Sequence, residues 1–324
     1  MVEADRLLDD EELIDRVFEA QGKRHEHSAT KGRSQTPAEM VPQLLLLKHV
    51  RNWSFDVLER EVRMNLAYRD FTRIGMGKVP DAKTLARIAQ GLGGEVIAEL
   101  HRRLVEIAQE EGVIQGRKLR VDTTVVETNI HYPTDSSLLG DGARVLTRTM
   151  KKIEKQAGKL KRKVRNRTRS VSKRVIVIAT ASRHRGEAGE RKRTKQYREL
   201  LRYTRQILND AKRVVAEVEA MPVHKQKPLN RLREHLKEMA RRVRQVVKQT
   251  KVRIFDEITQ FPGKIVSLFE PHSEIIRKGK ASKPTEFGTM VQVQEAENQI
   301  ITHYDVFQKR PSDRGLLIRS GGNA

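Results

Sequence analysis

The chain has 324 residues and a formal net charge of +23, and only 4% of its residues are aromatic, which argues against RNA-binding modules that stack exposed aromatic side chains on bases. It contains no cysteine, which excludes disulfides, thiol nucleophiles and cysteine-ligated zinc fingers and suits a reducing cytoplasm. The acidic N-terminus does not have the pattern of a signal peptide, and the longest apolar runs are far shorter than the roughly 20 residues that cross a bilayer. We therefore expect a soluble, cytoplasmic protein without membrane partners.

The positive charge is concentrated in the middle of the sequence. Residues 144–254 contain 36 Lys and Arg against 9 Asp and Glu, whereas the rest of the chain is slightly acidic. Ion pairs within the segment cannot neutralise such an excess, so we expect this block to bind a polyanion, with a nucleic acid favoured. The alternative is that the block forms the solvated, charged face of long helices.

The first third of the chain is predicted to be helical. Residues 1–36 are expected to form an N-terminal arm and linker because residues 22–36 are polar. Residues 37–112 are expected to form a compact domain, in which Ser54 is a good N-cap and Asp81 starts a further helix before glycines 91, 93 and 94 break it. Several short helices suit a helix-turn-helix-like DNA-binding domain, although any small helical bundle has this pattern.

Residues 117–128 change to an alternating, β-branched pattern, which predicts a strand in the centre of a sheet. Asp122 lies in its middle, and a carboxylate is costly to bury unless it is paired or binds a cation. The residues leave two interpretations of Asp122, a ligand of a divalent metal or an aspartate that is merely hydrogen-bonded near a strand end. His131 and Tyr132, in the polar stretch that follows, are either functional or part of a turn.

Residues 143–258 are predicted to form a basic coiled-coil insertion. Apolar residues recur at alternating spacings of four and three, with turns near Gly186 and between Pro222 and Pro228. This pattern predicts three helices folded back as an antiparallel coiled coil, the longest about 35 residues and roughly 50 Å, with Gly158 as its weak point. The side chains expected to contact DNA are Lys151, Lys152, Lys161, Arg162, Lys163, Arg165, Arg167, Arg169, Lys173, Arg174, Arg191, Lys192 and Arg193.

Residues 264–324 return to a strand pattern, with residues 290–294 and 300–307 separated by a polar turn, which predicts an antiparallel hairpin. Combined with the helical segments, this predicts an α+β chain that is mostly α.

Three blocks resemble DDE-type bacterial insertion-sequence transposases. DTTVVETNIHYPTDSSLLGDG (residues 122–142) looks like their first-aspartate block, residues 44–88 are similar to their helical N-terminal domain, and residues 275–307 resemble the hairpin that follows. The resemblance implies a partial RNase H-like sheet of three strands, formed by residues 117–142 and 264–324 and interrupted by the insertion. It also implies two Mg²⁺ ions held by three carboxylates, which act in DNA cleavage and strand transfer during transposition, a form of DNA recombination.

Within that resemblance Asp122 matches the first catalytic, metal-binding carboxylate. The family's second Asp and its Glu lie beyond the hairpin, so a sequence that ends at Ala324 is expected to be truncated and catalytically incomplete. Asp305 is expected to be a structural or surface residue rather than the second metal ligand, and Glu127 and Asp141 to have supporting roles at most.

The expected function is that of a nucleoid-associated transposase that binds double-stranded DNA at transposon ends, as a homodimer. The alternatives are a non-catalytic DNA-binding regulator derived from a transposase, and an RNA-binding coiled-coil protein without transposition ancestry.

Overall fold

A computed structural model describes residues 8–23, 36–158, 160–184, 186–277 and 284–307. Its elements, in chain order, are α1 (Glu11–Gly22), α2 (Met40–Val50), α3 (Phe55–Met64), α4 (Leu66–Phe71), α5 (Ala82–Glu110), β1 (Arg120–Glu127), α6 (Asp135–Ala157), α7 (Thr168–Ala181), α8 (Glu187–Glu219), α9 (Val223–Gln226), α10 (Asn230–Phe255), β2 (Glu274–Ile276), β3 (Glu286–Glu295) and β4 (Ile301–Val306). Short 3₁₀ turns cover Lys227–Leu229 and Glu297–Gln299. The predicted mostly helical α+β class is confirmed.

The chain divides into two compact units, residues 1–122 with 293–304, and residues 123–292 with 305–324. In the first unit the predicted caps are confirmed, since Ser54 accepts a hydrogen bond from the amide of Val57 at 3.3 Å and Asp81 accepts one from Thr84 at 2.9 Å. The predicted glycine break appears as a kink inside α5, at Gly93 with φ of 74°.

Helix α1 lies in the stretch that we expected to be an arm, and it packs against α5. Its side chains Leu13 and Val17 are buried. Asp10 caps it by accepting a hydrogen bond from the amide of Leu13 at 3.1 Å. Helix α1 therefore contributes to the core of the first unit.

The second unit is built on helices α6, α7, α8 and α10. Helix α6 packs against the other three, and α8 packs against α7 and α10. The apolar residues of the four-three pattern lie in this core; from the first predicted helix these are Leu146, Met150, Ile153, Leu160, Val164, Val171 and Ile178.

The prediction of one helix about 35 residues long at the start of this region is wrong. Helix α6 ends at Ala157, Gly158 has a φ of 80°, and helix α7 begins at Thr168. Acidic side chains hold the connecting segment: Glu154 accepts a hydrogen bond from the amide of Val164 and Glu217 accepts one from the amide of Lys161, both at 2.8 Å. Backbone donors that a helix would satisfy internally thus find side-chain partners instead.

The strands form a four-stranded antiparallel sheet. Its order is β1-β3-β2, with β4 also paired to β3, and Glu274 of β2 lies opposite Gly288 of β3. The expected β3–β4 hairpin is present, closed by the amide of Ala296 on the carbonyl of Ile300 at 2.8 Å. Besides the three expected strands, the sheet contains a fourth strand, β2, which was not predicted.

The predicted central position of β1 is wrong. In the described part of the chain β1 is an edge strand, because β3 occupies the centre and buries every second side chain. Asp122 and Val126 of β1 are exposed, Val126 by 58%. The apolar character of β1 thus does not reflect burial on both of its faces.

Candidate nucleic-acid interface

Asp122 lies on β1 with its side chain exposed. The cost of burying a carboxylate therefore does not arise at this position. Within the described ranges no three His, Cys, Asp or Glu side chains are grouped so that they could hold a metal ion. The residues that the structure describes thus do not fit the three-carboxylate Mg²⁺ site that the resemblance implies, and we derive no chemical step through it.

The other polar residues of the first-aspartate block have structural contacts. Asp141 is buried, pairs with Arg144, and lies 3.6 Å from the Nε2 atom of His131. The exposed ring of Tyr132 packs edge-on against Phe287 with centroids 5.5 Å apart. These contacts link the block to the helices and sheet of the second unit.

Two of the cations expected to contact DNA are used inside the second unit. Arg167 is largely buried and its Nη1 atom lies 2.5 Å from the Oδ2 atom of Asp210 on α8. Arg174 lies over the ring of Tyr203 at 4.9 Å and 4.0 Å from a carboxylate oxygen of Glu199. Both arginines join the α7 region to α8, so they stabilise the helical core.

Arg191 and Arg193 form weaker ion pairs. Each pairs with a glutamate of the same helix, Arg191 with Glu187 at 3.0 Å and Arg193 with Glu190 at 3.1 Å. Such helix-surface pairs contribute only a few tenths of a kcal/mol, roughly 0.3–0.5, and a phosphate can replace the glutamate at little cost.

The remaining predicted cations are exposed, and among the described residues no carboxylate forms an ion pair with any of them. These are Lys151, Lys152, Lys161, Arg162, Lys163, Arg165, Arg169, Lys173 and Lys192. They lie on α6, on the segment between α6 and α7, on α7, and at the start of α8. Their charge is available to a polyanion in solution.

One group of cations lines a groove of about 430 Å³ on the surface of the second unit. Arg144, Arg148, Lys151 and Lys155 follow each other at spacings of four, three and four, so they share one face of α6. The full lining consists of Arg144, Thr147, Arg148, Lys151, Lys152, Lys155, Asn166 and Thr168, and includes no carboxylate. We call this the α6 groove.

Our sequence-based selection contained Lys151 and Lys152 but missed Arg144, Arg148 and Lys155. A signal for them was present: each basic position of this face lies two residues before a position of the apolar stripe at 146, 150, 153 and 157. A second periodic pattern, offset from the first, therefore marks a basic face of the helix.

The match to a known family lies in the first third of the chain. Residues 2–91 match the family model described as "Transposase domain (DUF772)". No curated protein and no solved structure matches the chain, and none of the helices described is long and apolar enough to cross a membrane. The family match supports a transposase family and a transposition-related function for this protein.

Proposed function

We propose that this protein is a catalytically incomplete transposase of the DDE-type insertion-sequence class that binds double-stranded DNA at transposon ends, with the second unit supplying the main contacts to the phosphate backbone. The observation that carries the proposal is the set of exposed lysines and arginines on α6, α7 and the segment between them, for which the described residues provide no carboxylate partner. The transposase-domain match in residues 2–91 makes DNA the favoured polyanion.

The physical basis is counterion release. Each phosphate that a lysine or arginine neutralises releases condensed cations, so the logarithm of the binding constant falls linearly with the logarithm of salt concentration. About eight phosphate contacts from the basic helices give an expected slope near −7. Phosphate contacts fix position on the duplex without reading sequence. In this proposal, base readout falls to the helices of the first unit.

The test is a titration of a fluorescent duplex of about 30 base pairs with the full chain, followed by anisotropy between 50 and 200 mM salt. A slope near −7 supports the proposal, and a slope close to zero refutes it, because the basic residues would then make no phosphate contacts in the complex. A structured RNA that displaces the duplex at equal concentration would favour the RNA-binding alternative.

A nicking assay tests whether the transposase is catalytically incomplete. The substrate is labelled transposon-end DNA with Mg²⁺, which is the cofactor that the resemblance implies, and the proteins are wild type and Asp122→Ala. Nicking that Asp122→Ala abolishes would show an active transposase and overturn the catalytic incompleteness proposed here, whereas duplex binding by both proteins without nicking supports it and also fits a regulator. Light scattering of the free protein tests the homodimer expected from the sequence.

A further inference from the structure

We propose that the α6 groove is a discrete binding site for a backbone phosphate of a nucleic acid, distinct from the diffuse attraction of the basic surface. This inference rests on the proposed function, because it names the place where one phosphodiester is held. Three observations lead to it: the charge of the lining, a buried hydroxyl without a partner, and the way the far wall is fixed.

The first observation is the charge of the lining. Arg148, Lys151, Lys152 and Lys155 form no ion pair with a carboxylate among the residues that the structure describes. Glu154, which lies between these lysines in sequence, is half-buried and accepts the amide of Val164 at 2.8 Å. The nearest acidic side chain along the helix is therefore already used in the fold, and these four cations keep their charge for a ligand.

The second observation is Thr147. It is 3% exposed and lines the groove, and its hydroxyl oxygen is buried without a hydrogen-bond partner among the described residues. A threonine in a helix usually bonds the carbonyl four residues earlier, as Thr204 does with Leu200 at 2.9 Å and Thr250 with Val246 at 2.7 Å. An unsatisfied buried hydroxyl is costly, so the absence of this hydrogen bond at Thr147 points to a ligand that accepts a hydrogen bond from it.

The third observation is the far wall, formed by Asn166 and Thr168 at the start of α7. The Oδ1 atom of Asn166 accepts the amide of Thr168 at 3.0 Å and its hydroxyl at 2.7 Å. The amide NH₂ of Asn166 remains as the donor of that side chain, and the first turn of a helix favours an anion. A phosphate between the two walls thus meets hydrogen-bond donors on both.

The wall is also held in place. Arg167, which lies between Asn166 and Thr168 in sequence, contacts Asp210 at 2.5 Å and so joins this segment to α8. A groove whose walls are fixed before binding loses little conformational entropy when the ligand arrives. We therefore expect the site to bind one phosphate in a defined position.

The experiment uses the full chain and a fluorescent duplex of about 30 base pairs, and compares two double variants that remove the same charge. Lys151→Gln with Lys155→Gln removes two cations of the groove, and Lys212→Gln with Lys248→Gln removes two exposed cations of α8 and α10 outside it. We expect the groove pair to weaken binding about tenfold or more at 100 mM salt and to reduce the salt slope by about two. The control pair should change binding less than about twofold.

Thr147 gives a second test that does not change charge. Thr147→Val removes the hydroxyl at nearly constant volume and should weaken DNA binding about fivefold to tenfold while the melting temperature of the free protein does not fall. Thr147→Ser keeps the hydroxyl and should bind like wild type. Equal DNA binding by wild type and Thr147→Val overturns the site, and so does weaker binding of both variants with lower melting temperatures, which would mean a packing role.

The outcomes separate this inference from the proposed function. Equal losses in the two double variants, with a wild type that binds DNA, overturn the groove and keep DNA binding by the protein. Absence of duplex binding by the wild type at low salt overturns the proposed function itself. Vesicles of phosphatidylserine and phosphatidylcholine serve as a lipid probe, and groove-dependent binding to them but not to DNA overturns the choice of a nucleic acid.

Discussion

The carboxylate of Asp135 and the guanidinium of Arg253 lie 3.0 Å apart, Oδ2 to Nη1, and this ion pair joins the first residue of α6 to the last turn of α10. Asp135 is 2% exposed, whereas the Arg253 side chain is 46% exposed. Gln249 donates to the other oxygen of Asp135 at 3.2 Å. The negative charge sits at the N-terminus of α6, where the helix dipole favours it.

Replacing Asp135 with Asn is therefore expected to destabilise the second unit. The change removes the buried charge and leaves Arg253 and Gln249 with a poorer partner, at a cost of about 2 kcal/mol. Urea unfolding followed by far-ultraviolet circular dichroism measures this cost. Asp256→Asn, at an exposed carboxylate just beyond α10, is the control and should change stability by less than about 0.5 kcal/mol. Equal effects of the two variants would contradict the structural role of Asp135.

Gly142 of α6 packs directly against Val243 of α10. A Cβ atom at Gly142 would lie 2.5 Å from the Cγ2 atom of Val243. We expect Gly142→Ala to cost about 1–3 kcal/mol through overpacking. Adding Val243→Ala makes room for the new methyl group, so the double variant should be more stable than the sum of the single changes predicts.

The control for this cycle is Gly140→Ala. A Cβ atom there would meet Val175 at 3.4 Å, so the substitution should be nearly neutral. Additivity of Gly142→Ala and Val243→Ala within about 0.5 kcal/mol would mean that the two helices do not meet at these residues.

Gly288 allows β1 and β3 to pair closely. A Cβ atom at this position would lie 2.2 Å from the carbonyl oxygen of Val126, so Gly288→Ala must push the strands apart. We expect a loss of about 3 kcal/mol and faster hydrogen exchange at the amide of Thr128, which donates to Phe287 at 2.9 Å. Amides of α8 serve as the internal control. Unchanged exchange at Thr128 would refute the described pairing.

Low pH should destabilise the first unit, because it protonates the carboxylate of Asp10. The hydrogen bond from Arg103 holds the pKa of the Asp10 carboxyl below its ordinary value, and the two side chains lie 2.9 Å apart. A carboxyl with a lowered pKa in the folded state stabilises the fold above its unfolded pKa, and this contribution disappears as the pH falls from about 4 through the lowered value.

Asp10→Asn tests the contribution of this ion pair, because asparagine also caps helices and keeps the bond to Leu13 available. At pH 7 the variant should be less stable by about 1 kcal/mol, and its stability should fall less between pH 4 and pH 2. The fluorescence of Trp53, the single tryptophan, reports unfolding of the first unit. Parallel pH profiles for wild type and variant would refute the assignment.

The sequence predicted the core of the second unit well and its connectivity poorly. Spacings of four and three identified Leu146, Val164 and Ile178 as buried positions, and all three are buried. The same spacing could not show that Gly158 ends a helix, because the register of apolar residues continues across the break. The helix ends at Gly158, with its φ of 80°, and the amides of the segment beyond it are accepted by Glu154 of α6 and Glu217 of α8. The partner on α8 lies 56 positions away from Lys161 and leaves no local pattern.

The sequence likewise predicted only part of the candidate interface. Charge density located the basic region, but the pairing of Arg167 with Asp210, 43 positions away, appears only in three dimensions. For Asp122 the argument from burial depended on a central strand, and only the strand order shows β1 at an edge. Thr147 carries no signal in the sequence, since its importance comes from a hydrogen bond that it does not make.

The length of α8 limits how far along a duplex this part of the protein can reach. Its 33 residues correspond to about 50 Å, which equals the rise of roughly 15 base pairs, or about one and a half turns of the double helix. With the basic stretch folded back at Gly158 instead of extended, one copy of the second unit should leave a short footprint in nuclease protection. A protected region much longer than this would require either the first unit or a second copy of the chain.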